Sequence, residues 1–124
     1  MSEKTLIIPA GTKIIENGSY SGRDDIEKAV IPEGIVEIGD EAFIFCEELV
    51  SVTLPSTLKR IGNSAFQECV NLEEITLPEG LEEIGEAAFC NCLSLKIKNI
   101  PQGVKIGELA FHNTKNRRRK NDSR

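Results

Sequence analysis

The sequence predicts a repeat solenoid, in which one short unit stacks on copies of itself. Two observations carry that prediction. All five prolines of the 124-residue chain, Pro9, Pro32, Pro55, Pro78 and Pro101, stand at intervals of 23 residues. Between them, columns of one residue type recur in phase. Ile38, Ile61 and Ile84 align and are followed by Gly39, Gly62 and Gly85. Ala42, Ala65 and Ala88 come next, then Phe43, Phe66 and Phe89, then Cys46, Cys69 and Cys92, then Leu49, Leu72 and Leu95. A unit this short has too little apolar surface to fold alone, so neighbouring copies must bury a common core.

Each element follows from the columns. Residues 5–8 read as the end of a strand, because Leu6 and Ile8 before Pro9 echo Val52 and Leu54 before Pro55. Unit 9–31 keeps Ile15 and Ile26, but residues 17–22 (Asn-Gly-Ser-Tyr-Ser-Gly) stand where later units carry the Ala-Phe turn. Terminal repeats depart from the pattern because one face meets water, so this unit is expected to be an N-terminal cap. Units 32–54, 55–77 and 78–100 are regular, closing on Leu54, Leu77 and Ile100. The run Leu72-Glu-Glu-Ile-Thr-Leu77 has the spacing of a short strand with apolar residues inward. Proline then ends it, having no N–H for the ladder. The aligned glycines suit either a turn of positive φ or a close backbone approach. Asn63-Ser-Ala-Phe-Gln-Glu68 reads as a single helical turn capped by Asn63. Unit 101–114 is one residue short before Ile106 and ends near Thr114, and Lys98 stands where Val52 and Ile75 predict an apolar residue. Residues 1–114 therefore form one solenoid, and 115–124 a disordered tail.

Charge divides along the same boundary. Nine basic residues stand against 19 acidic ones before Lys115, while the last ten residues hold six basic and one acidic. An acidic body argues against direct nucleic-acid binding by the folded part, because phosphate contacts need Lys and Arg. The basic run Lys115-Asn-Arg-Arg-Arg-Lys120 leaves nucleic-acid association through the tail as the alternative function. No window approaches the ~18 apolar residues of a membrane span. The N-terminus shows no charged region followed by an apolar core, so a cytoplasmic location is expected.

Leu72-x-x-Ile-x-Leu-Pro78, followed by Leu81-x-x-Ile-Gly-x-x-Ala-Phe-x-x-Cys92, resembles the BspA-type class of leucine-rich repeats over roughly residues 5–114. The resemblance implies a right-handed leucine-rich-repeat superhelix with a parallel sheet on one face and short helical turns on the other. It also implies a protein-binding role, and a cell-surface location if a leader has been removed.

Other residues carry chemistry worth weighing. Cys46, Cys69 and Cys92 share one column, which small buried hydrophobes explain. Their side chains run parallel, so reduced thiols are expected. Aligning Phe89 with Phe111 sets Cys90 beside His112, a pairing that suits a nucleophile and base or, with Cys92, three zinc ligands. No Cys-x-x-Cys spacing supports a metal site, and two exposed turn positions are the expected reading. Neither catalytic nor cofactor-binding nor metal-binding residues are therefore assigned, and the protein is expected not to be an enzyme.

The sheet face is expected to expose Glu27, Lys28, Val30, Val50, Ser51, Thr53, Glu73, Glu74, Thr76, Lys96, Ile97 and Asn99, a surface of mixed sign suited to another protein. A second candidate is Ile44-Phe45, an apolar pair where other units place Gln67-Glu68, Cys90-Asn91 and His112-Asn113. Phe45 either lies over Gly22 as a lid on the cap or forms a partner or self-association contact extended by Val70 and Leu93. The candidate binding residues are thus Ile44, Phe45, Val50, Ser51, Thr53, Val70, Glu73, Glu74, Thr76 and Leu93, on a non-enzymatic protein-interaction module.

Overall fold

Each 23-residue unit returns the chain to a point one layer along the stack, so residues far apart in sequence become hydrogen-bonded neighbours. A computed structural model describes residues 4–97 and 99–115. Its strands are β1 (Thr5–Ile7), β2 (Ile14–Ile15), β3 (Lys28–Val30), β4 (Glu37–Ile38), β5 (Ser51–Thr53), β6 (Arg60–Ile61), β7 (Glu74–Ile75), β8 (Glu83–Ile84) and β9 (Lys105–Ile106). They form two parallel sheets, β1-β3-β5-β7 and β2-β4-β6-β8-β9. Register follows the columns: Thr5 pairs with Lys28, Lys28 with Ser51 and Ser51 with Glu74.

The first sheet is the one the sequence predicts. Ala29, Val52 and Ile75 point into the core, while Lys28, Val30, Thr53 and Glu74 point outward. The second sheet replaces part of the expected helical face. No helix occurs among the described residues. The reason lies in the turns that carry the Ala-Phe column. There the N–H groups of Ala42, Ile44 and Cys46 bond within the coil to the carbonyls of Gly39, Glu41 and Phe43. The intervening N–H groups of Glu41, Phe43 and Phe45 bond instead to Asn63, Ala65 and Gln67 of the next coil. A helix would direct its amides along its own axis and leave none for the neighbour. The alternation needs left-handed residues, and Glu41 and Phe45 take φ of 57° and 61°. The cap unit has the same turn, with Gly18 and Gly22 at those places and Tyr20 in the phenylalanine column.

Asn63 likewise does not cap a turn of its own. Its Oδ1 accepts the N–H of Glu86 at 2.9 Å, and Asp40 Oδ1 accepts that of Asn63 at 2.8 Å, so the capping runs between coils. The aligned glycines answer to close approach. A Cβ on Gly62 would lie 2.7 Å from the backbone N of Asp40, and one on Gly39 2.7 Å from that of Asn17.

The core is a set of continuous columns. Phe43, Phe66 and Phe89 are fully buried, and the rings of Tyr20, Phe43, Phe66, Phe89 and Phe111 stack at centroid separations of 5.2–5.7 Å. Spacing at this distance suits offset stacking, which adds to the area buried. The pattern fails at the fourth unit. Ile97, expected on the outer face, is buried, and Ile100, expected to close the unit inward, is 46% exposed. The change falls where the sequence sets Lys98 in the apolar column and shortens the following unit by one residue. Among the described residues the first sheet accordingly ends at β7.

Candidate protein-binding surface

The outer face of the first sheet is built from the positions that alternate with its core residues. Ser51 and Thr53 on β5, and Glu74 with the adjoining Thr76 on β7, share it with Lys28 on β3. A groove of about 750 Å3 runs across these strands and over the turn at Pro78-Glu79-Gly80. Its rim carries Glu33, Glu74 and Glu79. Glu33 is committed to the scaffold: its carboxylate accepts the backbone N–H and the hydroxyl of Ser56 at 3.0 and 2.8 Å. Those two bonds hold its carboxyl below the usual glutamate range. Glu73, Glu74 and Glu79 form no ion pair with any described residue.

The second sheet presents the opposite electrostatic case. Along it Glu37, Arg60, Glu83 and Lys105 follow one another in register, with alternating sign. Arg60 reaches Glu37 at 2.8 Å, Asp40 at 3.5 Å and Glu83 at 3.7 Å. Arg60 thus gathers three of the neighbouring carboxylates. Glu73 and Glu74 on the first sheet have no such cation among the described residues.

The apolar ridge departs from one of the two readings of its sequence. Phe45 is 50% exposed, and a Cβ placed on Gly22 has no atom within 4 Å, so the ring does not lie over that glycine. Ile44 and Val70 are half-buried and Leu93 is exposed. Phe45 also departs from its column, where Glu68, Asn91 and Asn113 bond to one another through Asn91 Nδ2 to Glu68 (2.7 Å) and Asn113 Nδ2 to Asn91 (2.9 Å). Of the remaining candidates, Val50 is at the margin of exposure and Glu73 is open to solvent.

The cysteines are scaffold. The thiols of Cys46, Cys69 and Cys92 donate to the carbonyls of Tyr20, Phe43 and Phe66 at 3.0–3.2 Å. Hydrogen bonding with Cys46 and Cys92, then burial, holds Cys69 well above the ordinary thiol range. Cys90 was expected on an exposed turn but is buried. Burial first, then the charge of Glu68, raises its pKa, the opposite of what a thiolate nucleophile needs. His112 is exposed, and no hydrogen bond joins the two side chains among the described residues. Alignment in sequence missed one member of the cysteine column: Thr114, three residues after Phe111 as Cys92 is after Phe89, is buried with its hydroxyl unpartnered among the described residues. The basic run from 116 onward, like Lys98, lies outside the described residues.

Comparison with known proteins agrees with this geometry. The model of the BspA type leucine rich repeat region matches six copies over residues 2–118. A leucine-rich repeat protein of T. pallidum superposes with a TM-score of 0.84 at 29% identity, covering 89% of this chain and 54% of that one. One from Bacteroides ovatus gives 0.72 at 30% identity, over 91% of this chain and 35% of that one. The pneumococcal vaccine antigen PcpA gives 0.75 at 29% identity, over 90% and 28%. The chain thus spans between about a quarter and about half the length of these proteins. A search of curated proteins found no match. No helix among the described residues is long and apolar enough to cross a membrane.

Proposed function

Since this chain belongs to the BspA-type leucine-rich repeat family, we propose that it is a non-enzymatic module that binds another protein across the outer face of its first sheet. The observation that carries this reading is the groove over β3, β5 and β7, lined by Ser51, Thr53 and Thr76 and by the carboxylates of Glu74 and Glu79, which form no ion pair among the described residues. Hydroxyls and carboxylates are acceptors at fixed spacing, so the surface suits an extended segment carrying basic side chains. A cell-surface setting accords with this role, because a neighbour from Faecalibacterium prausnitzii, 27% identical with a TM-score of 0.67, is a leucine rich cell surface protein.

The immobilised chain, offered lysate and surface fractions of its own host, tests the assignment. The variant Glu74→Lys, Glu79→Lys is expected to keep its melting temperature and to lose the captured protein. Capture unchanged by that reversal removes the sheet face from consideration.

One observation favours a second contact. Phe45 is half exposed in a column where other units place Glu68, Asn91 and Asn113, an apolar ring that solvation alone does not favour. The variant Ile44→Gln, Phe45→Glu copies the third unit. If this ridge binds a partner or a second copy, the variant melts as the parent does and loses association. An unchanged partner and an unchanged oligomeric state exclude the ridge.

A further inference from the structure

Among the described residues both ends of the stack carry unpaired backbone groups, and the two sets are complementary. In the turns each coil donates to the carbonyls of the next, as Ala87, Phe89 and Asn91 donate to Glu108, Ala110 and His112 at 2.8–2.9 Å. The last coil therefore leaves the N–H groups of Leu109, Phe111 and Asn113 without an acceptor among the described residues. At the other end the carbonyls of Asn17, Ser19 and Ser21 stand in the columns of Asp40, Ala42 and Ile44, which accept from the first coil, and have no donor among those residues. The second sheet ends in bare edges, β9 at one end and β2 at the other. Ile106 and Leu109 at the first end are 46% and 60% exposed, and Ile14 at the second is 42% exposed. By the repeat geometry, the N-terminal end of a second copy would continue the stack on the C-terminal end of the first. A head-to-tail contact of this kind does not close, and it grows fibres.

Two residues of the first coil break the match. Every later coil has glycine in the column of Glu16: Gly39, Gly62, Gly85 and Gly107. A Cβ at those glycines would fall 2.5–2.7 Å from the backbone N of the preceding coil, at Asn17, Asp40, Asn63 and Glu86. Glu16 escapes that clash only because no coil lies before it among the described residues. Against a docked second copy its Cβ would meet the backbone of Glu108. Arg23 occupies the cysteine column, where the thiols of later coils lie 3.0–3.2 Å from a carbonyl of the coil before. No guanidinium fits that gap. Arg23 instead sits over the Tyr20 ring at 5.8 Å and holds Asp25 at 2.7 and 3.0 Å.

We propose that Glu16 and Arg23 bar the N-terminal end of this molecule from the C-terminal end of a second copy, so that an otherwise self-complementary stack does not polymerise. The block is steric, residing in the Cβ of Glu16 rather than in its charge.

Sedimentation and light scattering over a range of concentrations test this on the full chain. Glu16→Gly with Arg23→Ala removes both obstacles without creating an exposed thiol, and its weight-average mass is expected to climb past that of a dimer as concentration rises. The parent, and Glu16→Ala with Arg23→Ala, are expected to stay monomeric. Adding Ile106→Arg to the glycine variant places a charge on the opposite end and is expected to restore the monomer. Thermal melts establish that each variant is folded, and Arg23→Ser replaces Arg23→Ala if the alanine loosens the first coil. A folded glycine variant that stays monomeric overturns the proposal. So does association that survives Ile106→Arg, equal association by the alanine variant, or a parent that already forms head-to-tail chains.

Discussion

Replacing Gly62 with alanine tests whether close coil approach, and not turn conformation, explains the glycine column. The added methyl would sit 2.6 Å from Asp40 Oδ1 and 2.7 Å from both the backbone N of Asp40 and the carbonyl carbon of Gly39. Ordinary carbon contacts lie near 3.5–4.0 Å. Relief thus needs the coils to part locally by close to an ångström. Two of the three obstacles are backbone, so no rotamer change supplies it. Overpacking of this kind costs about 1–3 kcal/mol, and the upper end applies where nothing flexible can yield. Parting the coils also strains Gly62 N–H to Ile38 O and Asn63 N–H to Asp40 Oδ1, both 2.8 Å, each worth ~1 kcal/mol. Alanine returns about 0.4–1 kcal/mol by restricting the unfolded chain. The net loss is about 3–4 kcal/mol, a fall in melting temperature of roughly 10–20 °C for a domain of this size. Urea and thermal unfolding measure it. Gly80→Ala is the control, since its Cβ would meet only the flexible end of Lys59 at 3.3 Å, and no net loss is expected, with up to about 1 kcal/mol gained by the same restriction of the unfolded chain. A Gly62→Ala variant within 1 kcal/mol of the parent refutes the close-approach argument.

Phe66→Ala, which empties a fully buried place between Phe43 and Phe89, is expected to destabilise the stack by about 3–5 kcal/mol in the same assay; a loss below ~1 kcal/mol would show that this column is not the core. Thr114→Cys gives the last coil a thiol where its hydroxyl is buried without a partner, and a gain of about 1 kcal/mol in urea unfolding is expected, whereas a loss shows that the cysteine column does not extend there. Cys46, Cys69 and Cys92 are expected to resist alkylation in the native chain and to react together on unfolding, all in the reduced form; mass spectrometry showing a loss of two hydrogens per pair contradicts this. Because the bonds from Ser56 depress the carboxyl pKa of Glu33, its contribution to stability is present above the usual glutamate range and lost as pH falls through the depressed value. An NMR titration should therefore find Glu33 ionising below the usual glutamate range and moving part of the way up in Ser56→Ala, which removes the hydroxyl and keeps the backbone N–H; no movement rules out the Ser56 hydroxyl as a cause.

The period, the core columns and the first sheet were legible in the sequence, because stacking gives each residue of a column the same surroundings and selects the same side chain. Ile38, Ile61 and Ile84, or Phe43, Phe66 and Phe89, reveal themselves by repetition alone. The outer face was legible by alternation, down to Ser51, Thr53, Glu74 and Thr76, but not at Ile97, whose burial no column predicts. The second sheet was hidden by length, since strands of two residues, Glu37–Ile38 or Arg60–Ile61, show no alternation. Asn63 reads locally as a cap for its own turn, and only the stack reveals that its Oδ1 serves Glu86. The glycine column was visible, yet its cause was not, because the atoms a side chain would strike belong to the preceding coil. Repetition in the sequence determined what is buried. Tertiary structure decided where the amides and carbonyls that bond between coils go, because their partners stand 20 to 24 residues away, outside the reach of any local propensity.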